Sequence, residues 1–170
     1  YSGNDAATAI AEYVGGSEEA FVNMMNRRAQ ELMANGTHFM NPHGLHDDNH
    51  YTTAYDLYLI FNECIKHEDF VNIIQSEAYT AYYTDVDGNS QEVLFTPTNL
   101  YAQGEVDVPE NVTIVGGKTG TTDEAGYCLI LMEKDSSDNP YISIVMGASE
   151  KPVLYEDMTS LIEAIPSGQQ

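Results

Sequence analysis

The apolar positions of the chain change period near its middle. Over residues 5–14, Ala6, Ala9, Ile10, Tyr13 and Val14 recur at the three- and four-residue spacing of a helix face. Gly15-Gly16 ends that run. Ser17, followed by Glu18 and Glu19, reads as an N-cap with acids in the first turn, where the helix dipole favours them. A second helix is expected to run to about Met33, burying Phe21, Met25, Ala29 and Leu32 and leaving at Asn35-Gly36. After the loop NPHGLHDDNHYT, Thr52 or Thr53 caps a third helix with Ala54, Leu57, Ile60, Phe61 and Cys64 inside. A short helix is expected around residues 69–75.

From residue 79 onward the pattern is that of strands. Residues 79–84 and 91–96 flank Asp87-Gly88-Asn89, a hairpin signal. Residues 112–115 run as a strand into a glycine pair. Residues 127–133 and 141–146 are strand-like and joined by the polar turn DSSDNP. Residues 155–164 read as a closing amphipathic helix through Met158, Leu161 and Ile162, with Ile165 just beyond. Helices, then antiparallel strands, then a closing helix make the fold class α+β. A single unit is expected, helical over about 1–77 and sheet-forming over about 78–170, with no repeat and no linker.

Charge changes the functional picture. Asp and Glu number 27 against 6 Lys and Arg, a net charge of −21. Such a surface repels phosphate backbones and anionic headgroups, which argues against nucleic-acid binding. No apolar run reaches the ~20 residues of a membrane helix. The two cysteines, Cys64 and Cys128, form no C-x-x-C pair and read as small buried apolar residues. The chain starts at Tyr1 without an initiator methionine or a visible signal peptide, and so reads as a trimmed piece.

Three chemistries compete for the motifs. VGGKTGTTDEAGY, residues 115–127, holds Gly117-Lys118-Thr119, but a phosphate-binding P-loop needs glycine where Val112 stands. HGLHDDNH puts His43, His46, Asp47 and His50 within eight residues, yet their spacing matches no helical zinc motif, and a structural loop is the better reading. Lys118-Thr119-Gly120 gains weight from Ser2-Gly3-Asn4 at the other end of the chain. Ser-x-x-Lys, Ser-Asp-Asn and Lys-Thr-Gly together mark serine acyl-transfer enzymes that act on penicillins. A Ser-x-Asn turn offers a hydroxyl for proton relay and an amide to hold substrate. A strand lysine offers positive charge. Gly116-Gly117 and Gly120 would let a substrate backbone approach the strand edge.

The stretches SGNDAATAIAEYVGGSEEAFVNMMNRRAQEL, THFMNPHGLHDDNHYTTAYDL and VGGKTGTTDEAGYCL, in that order, resemble the D-alanyl-D-alanine carboxypeptidases of peptidase family S11, the low-molecular-mass penicillin-binding proteins. TPTNLYAQG sits where that family has a Thr-Asn-rich approach to Lys-Thr-Gly, and residues 78–96 are among the least family-like. The resemblance implies part of a β-lactamase/transpeptidase-like domain with no cofactor and no metal. It implies that Ser2 relays a proton, Asn4 holds the substrate amide and Lys118 tunes the site. Thr119 would face the terminal carboxylate, Gly120 would continue the motif, and the Thr121 N–H would be half of the oxyanion hole. The implied partners are a peptidoglycan stem peptide ending in D-Ala-D-Ala and β-lactam antibiotics. The implied location is outside the cytoplasm at the cell envelope, on a parent that can be membrane-anchored.

Two departures limit the resemblance. None of the ten serines has lysine three residues later, so the Ser-x-x-Lys nucleophile and base are absent from this sequence. The chain is therefore expected to be the later part of a catalytic domain, inactive by itself, with apolar strand faces or sheet edges exposed for self-association. A binding-only relative without a nucleophile and, less favoured, a His-loop metal hydrolase stay open as alternatives. A serine β-lactamase lacks a convincing deacylating glutamate here. The second departure is that the only arginines are Arg27 and Arg28 on an early helix. Lys134 and Lys151 are then the remaining candidates for a second carboxylate-binding cation.

Overall fold

The structure, a computed structural model, describes residues 2–166. Helix α1 spans Asn4–Gly15 and α2 spans Glu18–Glu31. Ser17 caps α2 as expected, its Oγ accepting from the Ala20 N–H at 3.1 Å. The helix leaves earlier than Asn35-Gly36. Met33 takes the left-handed conformation at φ 63°, the Ala34 N–H reaches Ala29 O at 2.9 Å, and the Met33 N–H reaches Gln30 O at 3.0 Å. This pair of bonds satisfies the last carbonyls before the glycine is reached. Gly36 is used instead for close packing. A Cβ there would stand 3.0 Å from Thr53 Cγ2 and 3.2 Å from Asp56 Oδ2.

Helix α3, Ala54–Cys64, is capped by Thr53, whose Oγ1 accepts from the Asp56 N–H at 3.1 Å. Its inner face differs from the expected one in two places. Ala54 is exposed, whereas Asp56 is buried and accepts from Thr37 Oγ1 at 2.7 Å. A carboxylate is tolerated there because the threonine and the helix N-terminus both solvate it. Helix α4 is Glu68–Ile74. Strands β1 (Tyr79–Thr84) and β2 (Ser90–Phe95) pair antiparallel as a two-stranded hairpin. Its turn is organised by Asp85, whose carboxylate accepts from the Asp87 and Asn89 N–H groups at 3.0 and 2.9 Å and from Gln91 Nε2 at 2.7 Å. These bonds, that from Gln91 foremost, hold its pKa below the usual Asp value. Isolated hairpins are marginal. Asp85→Ala is expected to speed amide exchange across β1 and β2 while the melting transition of the body stays in place. Unchanged exchange would remove Asp85 from this role.

Helix α5, Leu100–Gln103, was not legible in the sequence. It is one turn, started by Asn99, whose Oδ1 accepts from the Tyr101 N–H at 3.0 Å, and ended by Gly104 at φ 71°. Strands β3 (Val112–Thr122), β4 (Gly126–Asp135) and β5 (Pro140–Ala148) form an antiparallel sheet in the order β3-β4-β5. Helix α6, Lys151–Glu163, lies across one face. Side chains alternate across a sheet, so Leu129 and Leu131 meet Leu154, Tyr155, Met158 and Ile162 there. On the other side α3 packs on β5 and α4 on β3. The fold is thus α+β, with helices α1 to α4 preceding the strands and α6 closing the chain.

In the three-stranded sheet α6 covers one face and Met132 on the other is buried, so the exposure left there is Met146 on β5 and the outer edges of β3 and β5 among the described residues. Exposed apolar surface lies also on the hairpin strands and on the first two helices. Ile10, Tyr13 and Val14 of α1 are exposed. In α2 only Ala29 is buried, and Phe21, Met25 and Leu32 line an open groove with Met24, Phe39 and Ile60. Both cysteines are free and only partly buried. No helix among the described residues is long and apolar enough to cross a membrane.

Candidate active site

Two segments far apart in sequence meet at the middle of β3. Ser2 lies one residue before Gly3, the extended N-cap of α1, and Asn4 is the exposed first residue of that helix. Lys118 Nζ donates to Ser2 Oγ at 2.6 Å and to its own strand at Thr119 O, also 2.6 Å. The lysine keeps solvent contact at the strand surface, yet the atoms crowded around its ammonium disfavour the charged form and lower its pKa. The hydroxyl it holds is a weak acid under the influence of a nearby cation. That arrangement suits passing a proton or drawing in an anion.

Thr119 is fixed from another direction. Its Oγ1 lies 2.5 Å from Thr98 Oγ1. Thr98 belongs to a segment tied to α6, where the Leu100 N–H donates to Tyr155 Oη at 3.0 Å and Tyr101 Oη lies 2.7 Å from Thr159 Oγ1. Gln103 Nε2 also donates to Pro97 O at 2.8 Å. Gly120 and Thr121 follow, paired with Cys128 and Tyr127 on β4. The other edge of β3 has no strand beside it among the described residues. Outward-facing amides and carbonyls of such an edge are open to an extended ligand. A Cβ on Gly120 would meet nothing within 4 Å, so this position borders open space.

The glycine pair before Lys118 serves the fold rather than an approaching ligand, contrary to expectation. A Cβ on Gly116 would fall 2.1 Å from Ile74 O at the end of α4, and one on Gly117 would fall 2.0 Å from Ile130 O. The β3–β4 register also shifts between Ile114 and Gly116. Gly116→Ala should lower stability by about 2 kcal/mol, since α4 must move off the strand. Urea unfolding measures this, and an unchanged midpoint would show that α4 yields freely.

The two remaining cation candidates separate clearly. Lys134 sits at the far end of the sheet, opposite Thr113 and Pro140, and is 3.2 Å from Asp138. Lys151 opens α6 just after β5, whose Ala148 pairs with Tyr127, the partner of Thr121. Lys151 therefore shares the Thr121 end of the sheet. Both arginines lie on α2, and Arg28 is engaged by Glu31 and Glu63.

The loop histidines point to separate partners. His43 is 3.8 Å from Glu18, His46 is 3.3 Å from Asp48, and His50 Nδ1 accepts from the Met40 N–H at 3.2 Å. The loop is braced by Asn26, which exchanges two 2.8 Å bonds with the Phe39 backbone. Among the described residues no three His, Cys, Asp or Glu side chains are grouped as metal ligands. Sequence reasoning missed Thr98 as a neighbour of Thr119, although TPTN was visible as a segment. It also missed Glu133, a buried carboxyl on β4.

Comparison with known proteins fits this geometry. The family model described as D-alanyl-D-alanine carboxypeptidase, peptidase S11, matches residues 1–150. D-alanyl-D-alanine carboxypeptidase DacF of Bacillus subtilis is 34% identical over 164 residues, covering 95% of this chain and 39% of DacF. DacC of Escherichia coli is 30% identical over 161 residues, covering 95% of this chain and 37% of DacC. The Streptomyces K15 DD-transpeptidase structure superposes with a TM-score of 0.82 at 26% identity, over 94% of this chain and 61% of that one. The chain thus spans well under half the length of these two curated relatives. With Ser2 of one motif bonded to Lys118 of the other and the match running through both, the chain belongs to the D-alanyl-D-alanine carboxypeptidase family, peptidase S11.

Proposed function

We propose that this chain forms the substrate-strand side of a serine-type D-Ala-D-Ala carboxypeptidase site, as one part of a single catalytic domain. The 2.6 Å contact between Lys118 Nζ and Ser2 Oγ carries the reading. Ser2 relays a proton to or from the leaving group, and Asn4 holds the amide of the incoming peptide. Lys118 supplies the positive field that draws in the terminal carboxylate and favours charge developing nearby. Thr119 hydrogen-bonds that carboxylate, Gly120 keeps the edge clear, and the Thr121 N–H donates to the oxyanion. Lys151 completes the carboxylate site from the start of α6.

The substrate is a peptidoglycan stem peptide ending in D-Ala-D-Ala, and β-lactams enter the same site as its mimics. The location that follows is the cell envelope, outside the cytoplasm. The chain holds no Ser-x-x-Lys, so it lacks the serine that would be acylated and the lysine that would activate it. These 170 residues alone therefore form no acyl-enzyme. Fluorescent penicillin should label a polypeptide extended upstream to a Ser-x-x-Lys serine and leave this chain unlabelled. Stoichiometric labelling of the chain alone would overturn the assignment of roles.

A second reading is a family member that holds peptidoglycan peptides without cleaving them. An upstream sequence without Ser-x-x-Lys decides for it. Self-association through the open edges of β3 and β5 belongs to the same proposal, and light scattering of the purified chain tests it.

A further inference from the structure

Thr119 is held from both faces of β3. Antiparallel register sets it opposite Leu129, which faces α6, so its side chain leaves the strand on the α6 side. Lys118, one residue earlier, leaves on the other side, where it meets Ser2 and also grips Thr119 O. Thr98 arrives on the α6 side and meets the Thr119 hydroxyl.

The segment that brings Thr98 there is fastened to α6. Thr98 is exposed, but beyond it the chain turns inward, and Asn99 and Tyr101 are buried. Tyr155 Oη accepts from the Leu100 N–H at 3.0 Å, two residues after Thr98. The Tyr101 ring meets the Tyr155 ring edge-on, with centroids 5.4 Å apart, and its Oη reaches Thr159. Gln103 closes the turn on Pro97 O, just before Thr98. Thr98 is therefore pinned on both sides. Tyr155 is only 4% exposed, so it acts on a ligand only through the residues it holds.

Two hydroxyls joined by one hydrogen bond carry two hydrogens. One lies in the bond and the other is left to give. A carboxylate only accepts, so the order it selects is Thr98 donating to Thr119 and Thr119 donating outward. That order needs the Thr98 oxygen in place, 2.5 Å from Thr119, before the ligand arrives. A Thr98 cut loose from α6 would leave the Thr119 hydroxyl free to rotate and to offer a lone pair as readily as a proton. A carboxamide end both donates and accepts, so it tolerates either order.

We propose that Tyr155 is a positioning residue for the terminal carboxylate of the substrate, acting through Thr98 on the Thr119 hydroxyl. The inference rests on the substrate reading given above, in which Thr119 meets that carboxylate, and adds what makes the contact select an acid over an amide.

The chain as it stands is titrated at neutral pH with acetyl-Ala-D-Ala-D-Ala and with its C-terminal carboxamide, and backbone amide shifts are read at Thr119, Gly120 and Thr121. Wild type is expected to bind the acid about tenfold tighter than the carboxamide, the scale of a hydrogen bond to a charged group. Tyr155→Phe keeps the buried ring and removes the acceptor of the Leu100 N–H. It should cut the preference about threefold, the scale of one neutral hydrogen bond, and leave affinity for the carboxamide unchanged. Thr98→Val, at an exposed position that does not threaten the fold, should cut the preference at least as much. Thr98→Ser keeps the hydroxyl and should retain it. A preference unchanged in Tyr155→Phe overturns the proposal. So does an equal loss of affinity for both ligands, which would make Tyr155 a packing residue alone. A wild-type chain that binds acid and carboxamide equally would sink the substrate reading itself, and this inference with it.

Discussion

Replacing Glu133 with Gln should stabilise the protein by about 3 kcal/mol at pH 8 and leave it unchanged at pH 4.5. Glu133 is fully buried on β4, between Ile114 of β3 and Tyr141 of β5. It shares the face of Leu129 and Leu131 under α6. Ser143 is close enough to ease its ionisation, yet neither carboxylate oxygen has a hydrogen-bond partner by geometry among the described residues. Burial therefore pushes its pKa from 4.5 up to about 7. Below pH 4.5 the group is neutral folded and unfolded, and costs nothing extra. Between 4.5 and about 7 the unfolded chain ionises while the folded one keeps its proton, so stability falls as pH rises. The rise from 4.5 to about 7, at about 1.36 kcal/mol for each step of one in pKa, gives the expected difference of about 3 kcal/mol. Set against a usual total of about 5–15 kcal/mol, that is a large share.

The comparison has to be made between the two proteins, not along one pH curve. Asp85, Asp135 and Glu63 have pKa values held below normal by hydrogen bonds, and they stabilise the fold as pH rises. Their trend opposes that of Glu133 and is common to both proteins. Urea unfolding at pH 4.5, 6 and 8 isolates the difference. A gap between variant and wild type that does not widen with pH would mean that water or a partner already solvates the carboxylate.

The strand period made the parity of Glu133 readable, since Leu129, Leu131 and Glu133 alternate with Ile130 and Met132. A glutamate at the end of an apolar run nonetheless reads as the point where the strand meets solvent. Only α6 crossing above decides otherwise. The same limit explains the other differences. Caps such as Ser17 and Thr53 and the hairpin around Gly88 were legible because they are local hydrogen-bonding and φ preferences. The meeting of Ser2 with Lys118 came from motif knowledge, because 116 residues separate them and no periodicity links them. Thr98 and the true reason for Gly116 were hidden, because both depend on which element crosses β3. Met33 ending α2 ahead of the glycine shows a backbone terminator outrunning a residue preference.

Lys118→Ala should slow penicillin acylation on the order of 10²-fold in a polypeptide extended upstream to a Ser-x-x-Lys serine, the loss seen when one preorganised charge-stabilising group is removed. The lysine bonds both to the Ser2 hydroxyl and to its own strand, so its charge is held in place before any ligand arrives. Preorganisation of this kind favours the transition state because no dipole has to turn during reaction. Its removal should hardly alter folding, within about 0.5 kcal/mol, because the side chain remains at the surface. Lys118→Arg keeps the charge but not the compact ammonium, and should fall between wild type and Ala. The pH profile separates this role from a passive one. Crowding has lowered the Lys118 pKa from its ordinary 10.5, so acylation should decline on the alkaline side before free lysines titrate. That alkaline limb should vanish in Lys118→Ala and move upward in Lys118→Arg, whose guanidinium stays charged. Second-order acylation rates measured across the alkaline range give both quantities. Equal rates for wild type and Lys118→Ala would remove Lys118, and with it the Ser2 relay, from the chemistry.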